Sequence, residues 1–150
     1  MSYLLFKTTN QYYAINNLDI LRIIPSVPLR KIETSTNYLI GLLMWGQNQI
    51  PIVDFSILTE NRPTMPAYYS RIILLTNETK KCVGLLAEKV TEMIDINFST
   101  QEKAYEAHYE MLPFLESIFP SDQGLIFLIS VKKLFEYLTE IPIPLSIIAT

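Results

Sequence analysis

Acid–base or nucleophilic chemistry needs a titratable or nucleophilic side chain held beside a partner that tunes it. This chain offers few such pairs. It has one histidine, His108 in EAHYEM, and one cysteine, Cys82 in KKCVGLLAE. His108 lies on a polar, helix-favouring stretch and reads as a solvated imidazole. Cys82 lies in an alternating apolar run and reads as a buried, inert thiol. A single cysteine leaves no internal disulfide and no metal–thiolate cluster. The four glycines, Gly41, Gly46, Gly84 and Gly124, are too scattered to cradle a phosphate, and GxSxG, GxxxxGK[ST] and GxGxxG do not occur. Glu88, Glu92 and Asp95 could be gathered by distant strands, but near a strand end they read as a solvated face. The sequence thus predicts no catalytic residue, no metal and no cofactor.

One carboxylate stands apart. Asp54 is the charged residue of the run GLLMWGQNQIPIVDFSIL, residues 41–58. It could be a catalytic acid, a ligand or a structural fitting, and the surrounding elements decide which. Short β-type runs dominate the chain. SYLLFKT and YYAIN flank a turn at TNQ, DILRIIP is stopped by Pro25 and Pro28, and GLLMWG and QIPIVD form a second hairpin. Pro51 removes a ladder donor from that hairpin, which suits an edge strand or a bulge. The polar TENRPTMPAYY reads as a linker. SRIILLTN, CVGLLAE and TEMIDINF follow as strands, and STQEKAYEAHYEML favours a helix capped by Ser99 or Thr100. FLESIF and LIFLIS make a closing hairpin. VKKLFEYL reads as a short amphipathic helix with Leu134, Phe135 and Leu138 on one face.

The chain has 150 residues, enough for one domain or two small subdomains sharing a core. Apolar residues make up 49% of it, with nine tyrosines and seven phenylalanines, so a substantial core can form. Twelve basic residues against fifteen acidic ones give a net charge of -3, which does not suit the dense phosphate contacts of nucleic-acid binding. The first residues lack the pattern of a signal peptide, and no apolar run reaches the ~20 residues of a membrane-spanning helix. A cytoplasmic, reducing compartment and no membrane insertion are the expectation.

Comparison of the two halves suggests an internal repeat. At an offset of 70, YAINNLDILRII (13–24) falls on VGLLAEKVTEMI (83–94), and YLLF (3–6) on ILLT (73–76). At an offset of 76, IPIVDFSIL (50–58) falls on IFLISVKKL (126–134). Asp54 then corresponds to Ser130, and each precedes a short apolar helical turn. Both side chains carry an oxygen that accepts from the unpaired N–H groups of a helix start. The preferred reading is therefore a structural cap at Asp54 and Ser130, in an architecture of two tandem β-units.

The hairpin at 41–55 resembles the CheW family of chemotaxis coupling proteins, whose motif runs roughly G-x-x-N-L-R-G-x-x-x-P-[IV]-[VI]-D-L. Gly41, Pro51, Ile52, Val53 and Asp54 match at the right spacing, with Phe55 in place of leucine. Tyr13-Ala14-Ile15, VGLLAEKVTEMIDI and FLESIFPSDQGLIFLISVKKL are similar to further family segments, so the resemblance covers about residues 3–138. It implies an all-β, CheW-like fold of two small five-stranded SH3-like barrels with short helices. The subdomains are expected at 15–70 and 71–138, with strand 2–8 pairing across and an apolar tail at 139–150. It also implies a non-enzymatic adaptor that bridges a chemoreceptor signalling tip to a CheA-type histidine kinase. A type IV pilus or twitching pathway is one setting, and a divergent β-domain that binds a small molecule or carries an unrecognised activity is the competing class. Two departures bear on partners. Met44-Trp45-Gly46-Gln47 replaces the N-L-R-G turn, and Arg22 stands where the family often carries glutamate.

The candidate partner surface comprises Ile20, Arg22, Gly41, Trp45, Gly46 and Gln47. Trp45 is either an aromatic anchor or a core residue at a barrel end. Ile20 and Ile24 should face one side of their strand, with Leu21 and Ile23 on the other; either one face lies on a partner or both are buried, and burial on both faces is the favoured reading. The tail IPIPLSIIAT either docks back onto the barrels or pairs with a sheet edge of a neighbouring copy, which would make it a route to self-association.

Overall fold

The computed structural model describes residues 1–34, 36–95, 102–103, 112–138 and 146–147, with backbone alone at 102–103 and 146–147. The strands are β1 (Ser2–Lys7), β2 (Tyr12–Asn16), β3 (Ile20–Pro25), β4 (Leu39–Trp45), β5 (Asn48–Asp54) and β6 (Arg71–Thr76), then β7 (Lys81–Ala87), β8 (Lys89–Asp95), β9 (Glu102–Lys103), β10 (Leu115–Ser121), β11 (Gly124–Ile129) and β12 (Ser146–Ile147). Two helices, α1 (Phe55–Glu60) and α2 (Val131–Leu138), follow β5 and β11.

The strands form two sheets. The first runs β8-β1-β2-β11-β10-β9, and the second β3-β6-β7-β5-β4, with β12 added to β7. Each sheet therefore has five long strands and one strand of two residues. Period-2 alternation gives each sheet two apolar faces. In β1, Leu4 and Phe6 join a central cluster, while Tyr3 and Leu5 join a cluster private to the first sheet. In β6, Ile73 and Leu75 enter the same central cluster, and Ile72 and Leu74 enter one private to the second sheet. Each sheet curls around its own cluster as an open, SH3-like layer without a ladder that closes it. Phe55 lies at the centre of the shared core, with ring centroids 5.2 Å from Phe6, 4.8 Å from Tyr13 and 6.2 Å from Phe114. The buried side of α2 is Val131, Leu134, Phe135 and Leu138.

The repeat is visible in the pairing, with two corrections. Replacing each strand of the first sheet by its equivalent from the other half gives the order of the second. Matching backbone bonds, Asp54 N–H to Tyr38 C=O and Ser130 N–H to Phe114 C=O, are both 2.8 Å. The registers Tyr3↔Asn16 and Ile72↔Leu86 show that Leu4 is equivalent to Ile73, so the YLLF–ILLT match is one residue out of step. The division at 70/71 is also not that of the sheets. β6 and β7 join β3–β5, and β1 and β2 join β8, β10 and β11, because β3 pairs with β6 and β8 with β1.

Three local expectations change as well. Glu102–Lys103 pairs with β10 as a strand, although its sequence favours a helix; ladder pairing overrides a weak propensity there. His108, Ser99, Thr100 and the remainder of that segment lie outside the described residues. Pro51 sits in an interior strand, between β4 and β7. Its missing N–H falls just before the first rung shared with β7, and that ladder starts only at Ile52↔Gly84. The region around β3 is not buried on both faces. Leu21 and Ile23 are exposed, because β3 ends its sheet.

Asp54 is a fitting, and a more extensive one than a cap. Its Oδ1 accepts from the N–H groups of Ser56 (3.0 Å) and Ile57 (3.3 Å) at the start of α1. The same oxygen accepts the Thr64 hydroxyl at 2.6 Å, and Oδ2 accepts the Thr64 N–H at 2.9 Å. A buried carboxylate thus holds the 59–69 segment against the sheet. Ser130 does only the simpler task, its Oγ accepting from Lys133 N–H at 3.2 Å.

Two stability predictions follow from these contacts. Asp54→Ala is expected to lower the unfolding free energy by about 3 kcal/mol, because it removes the cap and strands the buried Thr64 donors. Ser130→Ala should cost only about 1 kcal/mol. Urea denaturation of the two variants checks this, and equal losses would refute the latch. Gly84 packs so closely that an added Cβ would collide with Ile52 Cδ1 and come within 3.0 Å of Ile72 Cγ2. Gly84→Ala is therefore expected to cost about 1–3 kcal/mol, read as a lowered melting temperature.

Candidate partner-binding surface

The β4–β5 hairpin is closed by a two-residue loop, Gly46-Gln47. Gly46 has φ 61° and Gln47 is not in the left-handed region, which is the pattern of a turn with glycine at its first central position. The tight reversal fixes Trp45 at the end of β4, paired with Asn48. Trp45 is half-buried, packed on the cluster of Leu43, Ile50, Ile52, Ile72, Leu74 and Cys82. Its exposed side is covered by a cation. The Arg22 guanidinium, from β3, lies 5.9 Å from the indole centroid. Strands at opposite ends of the sheet order thereby meet, and the contact is worth ~0.5–1 kcal/mol at an exposed site.

Four of the six candidate residues can be reached by a partner at this rim. Arg22, Gly46 and Gln47 are exposed and Trp45 is partly so. Gly41 is different. It is buried, and a Cβ there would stand 2.8 Å from Leu29 Cβ and 2.9 Å from the Arg30 carbonyl oxygen. It lets the 29–30 segment cross β4, where Arg30 and Leu42 exchange backbone bonds of 2.9 Å, so it is a packing residue and not a contact. Ile20 is only partly exposed and packs on the central cluster. Sequence reasoning missed Met44 (55% exposed) and favoured burial over a partner face for Leu21 (40%) and Ile23 (37%), which with Met44 form an apolar set on the same two strands as Arg22 and Trp45. Their exposure depends on β3 being a terminal strand, which no local pattern encodes.

Among the described residues, reactive groups do not converge elsewhere. Burial pushes the Cys82 thiol up to about 11, and the side chain is fully enclosed. Burial likewise raises the Tyr13 hydroxyl to about 12. A cleft of about 340 Å³ between the β6–β7 turn and α2 is lined by Asp19, Glu78, Lys81, Lys132, Phe135 and Glu136. Burial, then the neighbouring Glu78, raises the Asp19 carboxyl above its usual value. Neither Glu88 nor Asp95 lines that cleft. Glu92 and Asp95 are exposed on β8, while Glu88 keeps Oε2 buried with no hydrogen-bond partner among the described residues. Among the described residues no group of three His, Cys, Asp or Glu side chains is arranged to hold a metal ion, and no helix is long and apolar enough to cross a membrane.

The comparisons with known proteins agree with this geometry. The family model of the CheW-like domain matches residues 2–138. A probable chemotaxis protein CheW from Rhizobium etli is 22% identical over 131 residues, which cover 87% of this chain and 84% of that protein. The crystal structure of the scaffolding protein TtCheW from Thermoanaerobacter tengcongensis has the same fold, with a TM-score of 0.76 at 21% identity over 85% of this chain and 82% of that one. A duplicated, strand-exchanged pair of SH3-like sheets, matched along nearly its whole length, places the chain in the CheW-like domain family, whose members are scaffold proteins and not enzymes.

Proposed function

We propose that this chain is a cytoplasmic adaptor that couples a chemoreceptor signalling tip to a CheA-type histidine kinase, in a pathway such as one controlling type IV pili. The observation that carries the reading is the Arg22–Trp45 pair at the rim of the second sheet. The 44–47 turn has no arginine, but Arg22 brings a guanidinium to the same place from β3. A planar fork over an aromatic face suits a partner that offers a carboxylate beside an apolar side chain. Leu21, Ile23 and Met44 add apolar area on the same strands. Family membership supports the scaffold role, and the choice of kinase and receptor rests on this surface.

Capture of the kinase and of the receptor tip from the same host, on immobilised protein, tests the proposal. The native chain is expected to retain both. Trp45→Ala should weaken capture about 30-fold, the loss of a hot-spot anchor, and Arg22→Glu about 10-fold with a reduced salt dependence. Because Trp45 also packs on the sheet, melting curves must show both variants folded. Native-strength capture by both folded variants would remove this rim from the interface, and failure of the native chain to capture either partner would overturn the coupling role.

A further inference from the structure

The second sheet has a seam that the first lacks. In the first sheet the parallel ladder of β11 and β2 begins at Ile126↔Tyr12 and continues through Phe127↔Tyr13 and Leu128↔Ala14. The repeat sets Ile50 and Pro51 against Ile126 and Phe127, and Cys82 and Val83 against Tyr12 and Tyr13. The ladder of β5 and β7 nevertheless begins only at Ile52↔Gly84. The two missing rungs fall on Pro51 and the residue before it, and proline supplies no N–H. The β7 edge at this place is taken by β12, antiparallel, with Ser146 opposite Cys82 and Ile147 opposite Lys81. Behind the seam lie Ile50, Ile52 and Cys82, all fully buried.

An unpaired β7 edge over such a cluster would accept any strand of suitable chemistry. Among the described residues two rungs close it, whereas five or six hold β1 to its neighbours. We propose that the seam beside Pro51 is a strand-acceptor site and that β12 occupies it as an exchangeable plug. The ligand class is an extended apolar peptide that pairs its backbone with β7 and turns aliphatic side chains toward the cluster of Ile50, Ile52 and Cys82. The stretch IPIPLSIIA at 141–149 has no charged side chain, which fits that class. A proline in one repeat thus converts a closed ladder into a site.

The test uses the full chain and a labelled peptide, IPIPLSIIAT. The double variant Ser146→Pro/Ile147→Pro cannot pair β12 and is expected to bind the peptide at least tenfold more tightly than the native chain, whose own strand competes at high effective concentration. Its Cys82 thiol should react several-fold faster with an uncharged thiol reagent, and saturating peptide should restore the native rate. Adding Pro51→Val to the double variant lets β5 and β7 complete their ladder, and peptide binding should then be lost. In the otherwise native chain, Pro51→Val should abolish hydrogen-exchange protection of residues 146–147 while Val83 stays protected. This last arm stands even if the double variant does not fold. A folded double variant that binds no peptide, or a Pro51→Val chain that keeps 146–147 protected, overturns the proposal.

Discussion

Exchange of the opening hairpins, β1–β2 and β6–β7, between the two halves is the constraint on which the rest of the molecule depends. β1 opens the first half but pairs with β8, and β6 opens the second but pairs with β3. Neither half can therefore complete a sheet without the other. Their inner faces meet in one shared cluster, where Phe55 from α1 contacts Phe6 and Tyr13 of the first sheet and Phe114 before β10. Separation of the halves would expose that cluster and four ladders at once, so the chain has one cooperative core despite its two-part sequence.

On this symmetric frame the halves differ at a few equivalent positions, and the differences have physical consequences. Where one half has Ser130 as a simple cap, the other has Asp54, whose second oxygen ties Thr64 and the connecting segment to the sheet. Where one has Ala14, the other has Gly84, which admits Ile52 and Ile72 at close range. Where one has Phe127 inside its three-rung parallel ladder, the other has Pro51 just before a three-rung ladder that starts two positions later. The second sheet carries both the Arg22–Trp45 rim and the β12 seam.

A scaffold works through contact areas, and the side chains that could react are placed accordingly. The single thiol is enclosed and kept protonated by burial. The buried carboxylate, Asp54, is committed to four hydrogen bonds. The surface proposed for recognition is an arginine on an indole, with Leu21, Ile23 and Met44 exposed on the same two strands.

Much of this was legible in the sequence. Short apolar runs bounded by turn residues located the long strands, because strands buried on both faces read as near-continuous apolar stretches, and the Asp54–Ser130 equivalence pointed to the caps. The family motif likewise pointed to the 41–55 hairpin. Tertiary structure alone decided which strands pair, since hydrogen bonding between β3 and β6 or β1 and β8 leaves no trace in local pattern. That pairing in turn put Gly41 under Leu29 and left Leu21 and Ile23 exposed at a sheet end. It also brought Arg22 over Trp45, residues 23 positions apart whose meeting depends on how far the sheet curls. The sequence by itself determined the units and their periodicity, because those are set by neighbouring residues. Their exchange, and the surfaces it creates, arise from contacts between residues far apart in the chain, and only the folded structure contains them.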